Sequence, residues 1–277
     1  MQSKFSFIDL FSGIGGFHSG LASLGGECVF ASDILPVACA TYELNYGIKP
    51  FGDITKIDAK NIPSHDVLCA GFPCQSFSNV GQKGGLNDPR GEMIYEIFRI
   101  LKAKKPKAFI LENVKGLQSH DQGRVLKFIV ETLTSLGYNV KHEVLEAKDY
   151  GLPQIRKRLF FVGIRNTVKK EFTFPAPVEL QYTLNDVMKG NAEREFGFTV
   201  RIGGRRSGIN NRFNWDAYRV DGKERIITPE ECLLLQGFKP DFKLVGNESQ
   251  RYYQAGNSVP VSIIHEIGKQ LIKIKVL

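Results

Sequence analysis

Short apolar runs alternate with stretches of helical spacing over the first 165 residues of the chain. The apolar runs predict strands at 5–11, 28–33, 66–71, 108–114, 138–145 and 158–164. The stretches between them predict helices from about 16 to 24 and near 36–45, 91–103 and 121–136. Strands that alternate with helices indicate βαβ units, and unbroken apolar runs are typical of buried parallel strands. The pattern therefore predicts a mainly parallel sheet in an α/β domain.

The pattern changes near residue 166. From there to about 224 the chain is rich in Gly, Arg and Asn, and its periodicity is weak. A helix is predicted to start at Thr228, because Thr228 and Glu231 have the spacing of a capping box and Pro229 suits the first helical position. A last helix is expected at about 259–274. We predict a larger domain formed by 1–165 together with 254–277, and a small domain formed by 166–253.

The composition excludes several classes of protein. The chain has 277 residues, of which 42% are hydrophobic. No apolar run is long enough for a membrane span, and residues 1–7 lack the apolar core of a secretory signal, so we expect neither. The number of cysteines is odd at five, no Cys-x-x-Cys pair occurs, and the five histidines are scattered. We therefore expect no disulfide framework, no metal site and a reducing, cytoplasmic location.

The net charge of +8 favours a polyanionic partner. The excess is concentrated in residues 201–225, where seven Lys or Arg stand against three Asp or Glu. Trp215, which lies in this segment, is expected to belong to the core rather than to stack on a base.

A glycine-rich turn follows the first strand. Gly13, Gly15 and Gly16 permit a tight turn and a close approach of the backbone to a ligand, and Asp33 ends the second strand 17 residues after Gly16. This arrangement fits NAD, FAD and S-adenosylmethionine alike, and it also fits a turn that binds nothing. The spacing lacks the full Gly-x-Gly-x-x-Gly of dinucleotide sites. Asp53, followed by Ile54, offers a second carboxylate for an adenine amino group, with a surface turn as the alternative.

A candidate nucleophile and a candidate acid stand at the ends of the predicted strands 66–71 and 108–114. Cys74 comes just after 66–71, in a turn stiffened by Pro73, where the carboxyl ends of parallel strands collect ligands. Cys28, Cys39, Cys69 and Cys232 are expected to be structural.

Glu112 ends the following strand, and burial there would raise its pKa and let it hold a proton near neutrality. Its alternatives are a helix cap or a pair with Lys115. In an extended segment, Arg156 and Arg158 share a face, which suits a phosphate, a carbonyl oxygen or the Glu112 carboxylate, although a solvated charge run is also common.

Six segments, in this order, resemble the DNA cytosine-5 methyltransferase family. They are 9–17, 71–78, 112–114, 154–158, 233–238 and 254–260, with the sequences DLFSGIGGF, GFPCQSFS, ENV, QIRKR, LLLQGF and QAGNSVP. The resemblance covers nearly the whole chain except about 166–224. It implies an α/β fold with a Rossmann-like, S-adenosylmethionine-dependent methyltransferase sheet that has helices on both faces, and a small target-recognition domain.

The resemblance also implies a mechanism. The Cys74 thiolate attacks C6 of a flipped-out cytosine, Glu112 contacts N3 and the amino group, and C5 takes the methyl group of S-adenosylmethionine, leaving S-adenosylhomocysteine. The Phe72 carbonyl and Arg158 would help to hold the flipped base, and Arg156 is counted with Cys74, Glu112 and Arg158 as a catalytic residue. The group that removes the C5 proton is not identified. By family position the cofactor site comprises Phe11, Gly13, Gly15, Gly16, Phe17, Asp33, Ile34, Asp53, Ile54, Pro73, Asn257 and Ser258. Ile34 stands where the family often has an aromatic residue.

The expected partner is double-stranded DNA, bound by a monomer. The candidate DNA-binding residues are Gln75, Ser78, Arg90, Arg201, Arg205, Arg206, Asn210 and Arg212, since arginine and asparagine read guanine and adenine edges and also bind phosphates. The Gly-rich segment 79–91 is predicted to close over DNA. A cognate restriction endonuclease would act on the same site without binding this chain. The alternatives are an RNA cytosine methyltransferase of the same fold, a non-enzymatic DNA-binding relative and, for the glycine turn alone, an NAD-dependent dehydrogenase.

Overall fold

The computed structural model describes residues 5–73 and 92–277. Its strands are β1 (Phe5–Leu10), β2 (Gly26–Ser32), β3 (Val67–Gly71), β4 (Ala108–Val114), β5 (Tyr138–Glu146), β6 (Lys157–Arg165), β7 (Ala217–Val220) and β8 (Lys223–Ile226). Its α-helices are α1 (Gly16–Ala22), α2 (Pro36–Tyr46), α3 (Glu92–Lys104), α4 (Arg124–Ser135), α5 (Leu184–Met188), α6 (Pro229–Leu235), α7 (Glu248–Asn257) and α8 (Val261–Lys273).

The first six strands form one sheet in the order β2-β1-β3-β4-β6-β5. β2, β1, β3 and β4 are parallel, whereas β6 runs antiparallel to both β4 and β5. The chain just before Asp53 meets the end of β2 through a parallel bridge between Ser32 and Phe51. The prediction of a mainly parallel α/β sheet is confirmed, with an antiparallel edge that the apolar pattern alone does not distinguish.

Helices cover both faces of this sheet, as predicted, because the strands β1, β3, β4 and β6 are buried on both sides. One core cluster joins the strands to α1, α2 and α8, with Leu21, Tyr42 and Ile267 among its members. The other joins the opposite face to α3 and α4, for example through Ile97 and Ile129. The carboxyl ends of β1 to β4 therefore remain as the open rim on which ligands collect in such sheets.

A third core cluster, called the small-domain core below, joins α5, β7, α6 and α7 and includes Ile14 from the turn after β1. Trp215 lies in that core with 1% of its surface exposed, which confirms its predicted role. The capping box of Thr228 and Glu231 forms as predicted at the start of α6. Helix α5 and the hairpin of β7 and β8 were not predicted, since they have only four or five residues in each element. Helix α7, with 10 residues, was not predicted either.

The division of the chain into 1–165 with 254–277 and 166–253 stays a prediction. Phe172 packs in the core cluster of the large sheet, whereas Leu184, Val187 and Met188 pack in the small-domain core. Tyr252 and Ala255 of α7 also contribute to the small-domain core. None of the helices in the described ranges is long and apolar enough to cross a membrane.

Candidate active site

The turn after β1 is shaped by its glycines. Phe11, Gly13 and Gly15 have positive φ angles of 53°, 53° and 86°, a region that strongly favours glycine. The Gly13 N–H donates to Asp33 Oδ2 at 2.8 Å, and Asp33 Oδ1 accepts from the Leu35 N–H at 2.8 Å. Burial raises the pKa of Asp33, and these amide donors oppose the rise. The turn and the acid at the end of β2 thus form one hydrogen-bonded unit.

Tyr46 holds this turn from behind. Its hydroxyl donates to the Gly15 carbonyl at 2.8 Å, and its ring occupies the space that a Cβ on Gly15 would need. A Cβ on Gly13, by contrast, would meet no atom of the described residues within 4 Å. The open side of the turn is therefore at Gly13, and the sequence reasoning missed Tyr46 because its contact is made from α2.

The residues predicted to contact the adenosine group, Ile34, Asp53 and Ile54, differ in how far they are exposed to solvent. Ile34, beside Asp33, has 69% of its surface exposed, while Ile54 is buried in the second core cluster. Asp53 caps a short 3₁₀ turn, accepting from the Thr55 N–H at 3.0 Å and from its hydroxyl at 2.7 Å. These hydrogen bonds lower the pKa of Asp53. The structure thus presents an ionised carboxylate and an apolar side chain near the end of β2.

The last sequence motif returns to the glycine turn. A Cβ on Gly16 would lie 2.8 Å from the Val259 carbonyl oxygen and 3.0 Å from Ser258 Oγ, so only glycine permits this approach. A Cβ on Gly71, the last residue of β3, would lie 3.6 Å from Val259 Cγ1 and 3.7 Å from Phe17 Cε2. Asn257 is exposed beside Ser258, which is buried. Segments distant in the sequence therefore meet at the end of β3.

Glu112 lies on the same rim. It pairs with Gly71 across the sheet, and its Oε2 lies 3.6 Å from the position of a Cβ on Gly71. Only 8% of Glu112 is exposed, and its Oε1 is 2.8 Å from Arg158 Nε. Burial raises the pKa of Glu112, while the positive charges of Arg158 and, further away, Arg156 oppose the rise. Of the alternatives that the sequence left open for Glu112 and Arg158, the structure shows a pair between these two side chains.

Asn113 fixes the chain that leads to the nucleophile motif. Its Nδ2 donates to the Phe72 carbonyl oxygen at 2.9 Å, and both residues are buried. The sequence reasoning quoted Asn113 within a motif without giving it a role. Pro73 follows, exposed, as the last described residue before the gap. Cys74, Gln75, Ser78, Arg90 and the segment 79–91 lie outside the described residues, so the predictions made for them stay predictions.

Arg156 behaves differently from Arg158. Only 1% of its surface is exposed, and its guanidinium group donates to the carbonyl oxygens of Val200 at 3.0 Å, Gly256 at 3.0 Å and Ser258 at 2.8 Å. It therefore joins the segment before β6 to Val200, just before the basic segment 201–225, and to the last sequence motif at 254–260. Of the partners that the sequence left open, Arg156 therefore contacts carbonyl oxygens, whereas Arg158 contacts the Glu112 carboxylate.

Two buried glutamines extend this connection. Gln154 donates to the Leu235 carbonyl oxygen at 2.7 Å and accepts from the Val200 N–H at 3.2 Å. Gln236 donates to the carbonyl oxygens of Ala255 at 2.8 Å and Ser258 at 3.1 Å. Buried polar groups are stable only when they are hydrogen-bonded, so these contacts hold the segment before β6, the end of α6 and the end of α7 together.

The candidate DNA-binding arginines of the small domain differ in their surroundings. Arg205 and Arg206 approach Glu248 at 3.4 Å and 3.8 Å. Arg205 also lies over the Tyr252 ring, 4.3 Å from its centre, which ties it to the small-domain core. Arg201, Asn210 and Arg212 are exposed. The structure therefore leaves these last three accessible to a partner, whereas Arg205 is half-buried.

The four described cysteines have structural surroundings, as predicted. Cys28, Cys69 and Cys232 are buried and Cys39 is half-buried, and all four are free thiols. Burial raises the pKa of Cys28 to about 12 and raises the pKa values of the other three above the usual range for a thiol. A thiol held in its neutral form is a poor nucleophile, so none of these four suits covalent chemistry.

Comparisons with known proteins agree with the geometry of this rim. A family model described as C-5 cytosine-specific DNA methylase matches residues 5–201 and 197–273. Type II methyltransferase M.DsaV of Dactylococcopsis salina is 40% identical over 305 residues, covering 98% of this chain and 87% of the relative. Type II methyltransferase M.HhaI of Haemophilus parahaemolyticus is 37% identical over 301 residues, covering 94% and 92%.

A solved structure supports the fold. The S. pombe Dnmt2 methyltransferase superimposes with a TM-score of 0.77 at 20% sequence identity, covering 98% of this chain and 100% of that one. The family match spans both the sheet and the last helix, and the relatives cover almost the whole chain. The chain therefore belongs to the C-5 cytosine-specific DNA methylase family and is a DNA (cytosine-5)-methyltransferase.

Proposed function

We propose that the enzyme methylates C5 of a flipped-out cytosine in duplex DNA through a covalent bond between Cys74 and C6. The observation that carries this proposal is the Glu112–Arg158 pair beside Gly71. A buried carboxyl with a raised pKa lies at the end of β4, next to the strand whose continuation leads, three residues later, to Cys74. Two groups of complementary chemistry that follow neighbouring parallel strands suit one reaction centre.

Glu112 would act on the N3 edge of the base. Its raised pKa favours a protonated carboxyl, which gives its proton to N3 as the Cys74 thiolate forms its bond to C6. The electron pair of the C5–C6 double bond then makes C5 nucleophilic. After C5 has gained a methyl group and lost its proton, the sulfur–C6 bond breaks and Glu112 regains its proton. Arg158, whose Nε lies 2.8 Å from Glu112, would hold the carboxyl in place and contact the base oxygen.

The proposed cofactor is S-adenosylmethionine, which the family uses. When bound, it supplies the methyl group. The residues present fit such a group, because the turn is open at Gly13, and Ile34 offers an exposed apolar side chain beside the Asp33 carboxylate. Asp33 would bind the ribose and Asp53 the adenine amino group. Phe11, Gly15, Gly16, Phe17, Ile54, Pro73, Asn257 and Ser258 would complete the cofactor site.

Duplex DNA would bind across this rim and the basic segment of the small domain. Exposed Arg201, Asn210 and Arg212, with Arg205 and Arg206 beside them, would contact phosphates and base edges. Gln75, Ser78 and Arg90 would contact DNA near the flipped base, and segment 79–91 would close over it. The enzyme would act as a monomer. The type II description of the relatives supports a role in which it protects the sites of a cognate restriction endonuclease.

The proposal is tested by methyl transfer from labelled S-adenosylmethionine to unmethylated duplex DNA, with a tRNA substrate in parallel. Cys74→Ser should lose transfer while it still binds duplex DNA. The matched control is Cys39→Ser, which changes a half-buried thiol outside the reaction centre and should retain the rate. Transfer by Cys74→Ser at the wild-type rate would reject the covalent mechanism, and transfer to tRNA alone would reject the DNA substrate.

A further inference from the structure

The loop between Arg201 and Asp216, in the basic segment 201–225, is held in place by two buried side chains. Trp215 Nε1 donates to the Gly203 carbonyl oxygen at 2.8 Å, which closes the loop on itself. The Arg206 N–H donates to Asp216 Oδ2 at 2.8 Å, and Asp216 is fully buried. Side chains that project from this loop are therefore carried on a fixed support rather than on a free segment.

Phe213 projects outward from this support. Its N–H donates to Asn211 Oδ1 at 2.8 Å, and the Asn214 N–H donates to the Asn211 carbonyl oxygen at 2.8 Å, so a tight turn sets its direction. Phe213 has 55% of its surface exposed, although the two residues that follow it are buried. The turn thus keeps a large aromatic side chain accessible in a fixed direction, and rigid aromatic side chains are among the residues that contribute most to the binding of a partner.

Arg212 covers one face of this ring. Its guanidinium carbon lies 4.5 Å from the centre of the Phe213 ring, within the range of a cation–π contact. Within the described parts of the chain, Arg212 pairs with no carboxylate, whereas Arg205 and Arg206 both approach Glu248. The pair thus presents an aromatic ring and an uncompensated positive charge together.

The loop begins next to the reaction rim. Arg201 passes so close to Gly256 that a Cβ there would lie 2.8 Å from the Arg201 carbonyl carbon and oxygen. Val200, one residue earlier, accepts from Arg156. The support of Phe213 is therefore anchored on the side of the molecule where the proposed function places duplex DNA.

We infer that Phe213 and Arg212 form a specificity-determining unit that reads one base pair of the recognised DNA sequence. The Phe213 ring packs against the C5 edge of a pyrimidine in the major groove, where a phenyl ring discriminates by apolar contact, and Arg212 donates to the neighbouring guanine or phosphate. This inference rests on the proposed function and adds a residue that the arginine and asparagine pattern alone does not indicate.

The test compares Phe213→Ala, Phe213→Leu and the wild-type enzyme in a host that lacks 5-methylcytosine, with bisulfite sequencing of the genomic DNA. Phe213→Ala should relax the preference at one base pair by about tenfold or more and leave the other positions unchanged. Phe213→Leu, which keeps part of the apolar contact, should lie between Ala and the wild type. Leu44→Ala, which removes a side chain of α2 that is 54% exposed, is the matched control and should leave the preference unchanged.

Unchanged discrimination at every position in Phe213→Ala would overturn the inference, and so would an equal loss of methylation at all sites. Purified variants separate these results from misfolding, because the cognate duplex and its single-base variants can be compared within one preparation. A wild-type enzyme that leaves no 5-methylcytosine on the host DNA would overturn the proposed function, and this inference with it. Wild-type methylation combined with an unaltered Phe213→Ala preference would overturn the inference alone.

Discussion

Replacement of Arg156 by methionine should destabilise the contact between the two domains. The variant keeps a long apolar side chain but removes all donors to the carbonyl oxygens of Val200, Gly256 and Ser258. Ser258 retains its hydrogen bond from Gln236, so two of the three carbonyl groups lose the side-chain donor that they have in the structure.

The magnitude follows from those two groups. A buried polar group that is left without a partner costs about 1–3 kcal/mol, so two such groups cost about 2–6 kcal/mol. Removal of the buried charge offsets part of this loss of stability, because a guanidinium group that is only 1% exposed carries a desolvation cost. We expect the free energy of unfolding to fall by about 3 kcal/mol, which a domain stabilised by about 5–15 kcal/mol can withstand.

Urea unfolding measures this change directly. The chain has one tryptophan, and Trp215 lies buried in the small-domain core, so its fluorescence reports on the domain that Arg156 holds. Arg156→Lys is the matched control: it keeps the charge and some of the hydrogen bonds, so it should lose clearly less stability than Arg156→Met. Equal stability of Arg156→Met and the wild type would refute the role of Arg156 as a link between domains.

Three further predictions concern the reaction centre and the cofactor site. Arg158→Gln removes the main charge that opposes the raised pKa of Glu112, so this pKa should rise further. The alkaline fall of kcat, where Glu112 loses its proton, should then move to higher pH. A shift of this fall to lower pH would contradict the role assigned to Glu112. Gly16→Ala should weaken S-adenosylmethionine binding roughly tenfold in calorimetry, since overpacking costs about 1–3 kcal/mol, whereas Gly116→Ala, which meets open space, should bind normally. Ile34→Trp should strengthen the same binding about threefold to tenfold by ring stacking, and weaker binding would place the adenine elsewhere.

The sequence predicts the sheet and its rim because those features depend on local patterns. A continuous apolar run identifies a buried strand, and a carboxylate near its end, such as Glu112, is costly unless it is paired or used. The glycine turn can also be predicted, because the positive φ angles at positions 13 and 15 favour glycine and both residues are glycine. These features need no knowledge of distant contacts.

The sequence could not separate Arg156 from Arg158. The alternation argument assumes an extended strand through both residues, but β6 begins at Lys157, so Arg156 lies in an irregular segment before it. Its partners, Val200 and Gly256, are 44 and 100 residues away along the chain. Because these partners are distant in the sequence, the residues around Arg156 carry no pattern that would predict its burial.

The small domain was the least predictable part for the same reason. Its hairpin has two strands of four residues each, and α5 has five residues, so none of them has enough positions to show a period. The outward direction of Phe213 depends on one turn at Asn211, which composition does not reveal.

The most direct test of the reaction centre is covalent trapping on duplex DNA that carries 5-fluorocytosine at the target position. The wild-type enzyme with S-adenosylmethionine should form a stable adduct, and mass spectrometry of the digested complex should find the modified base on the peptide that contains Cys74. Glu112→Gln, which cannot give a proton to N3, should trap much more slowly. An adduct on any of the other four cysteines, or no adduct from a preparation that methylates ordinary DNA, would contradict the account.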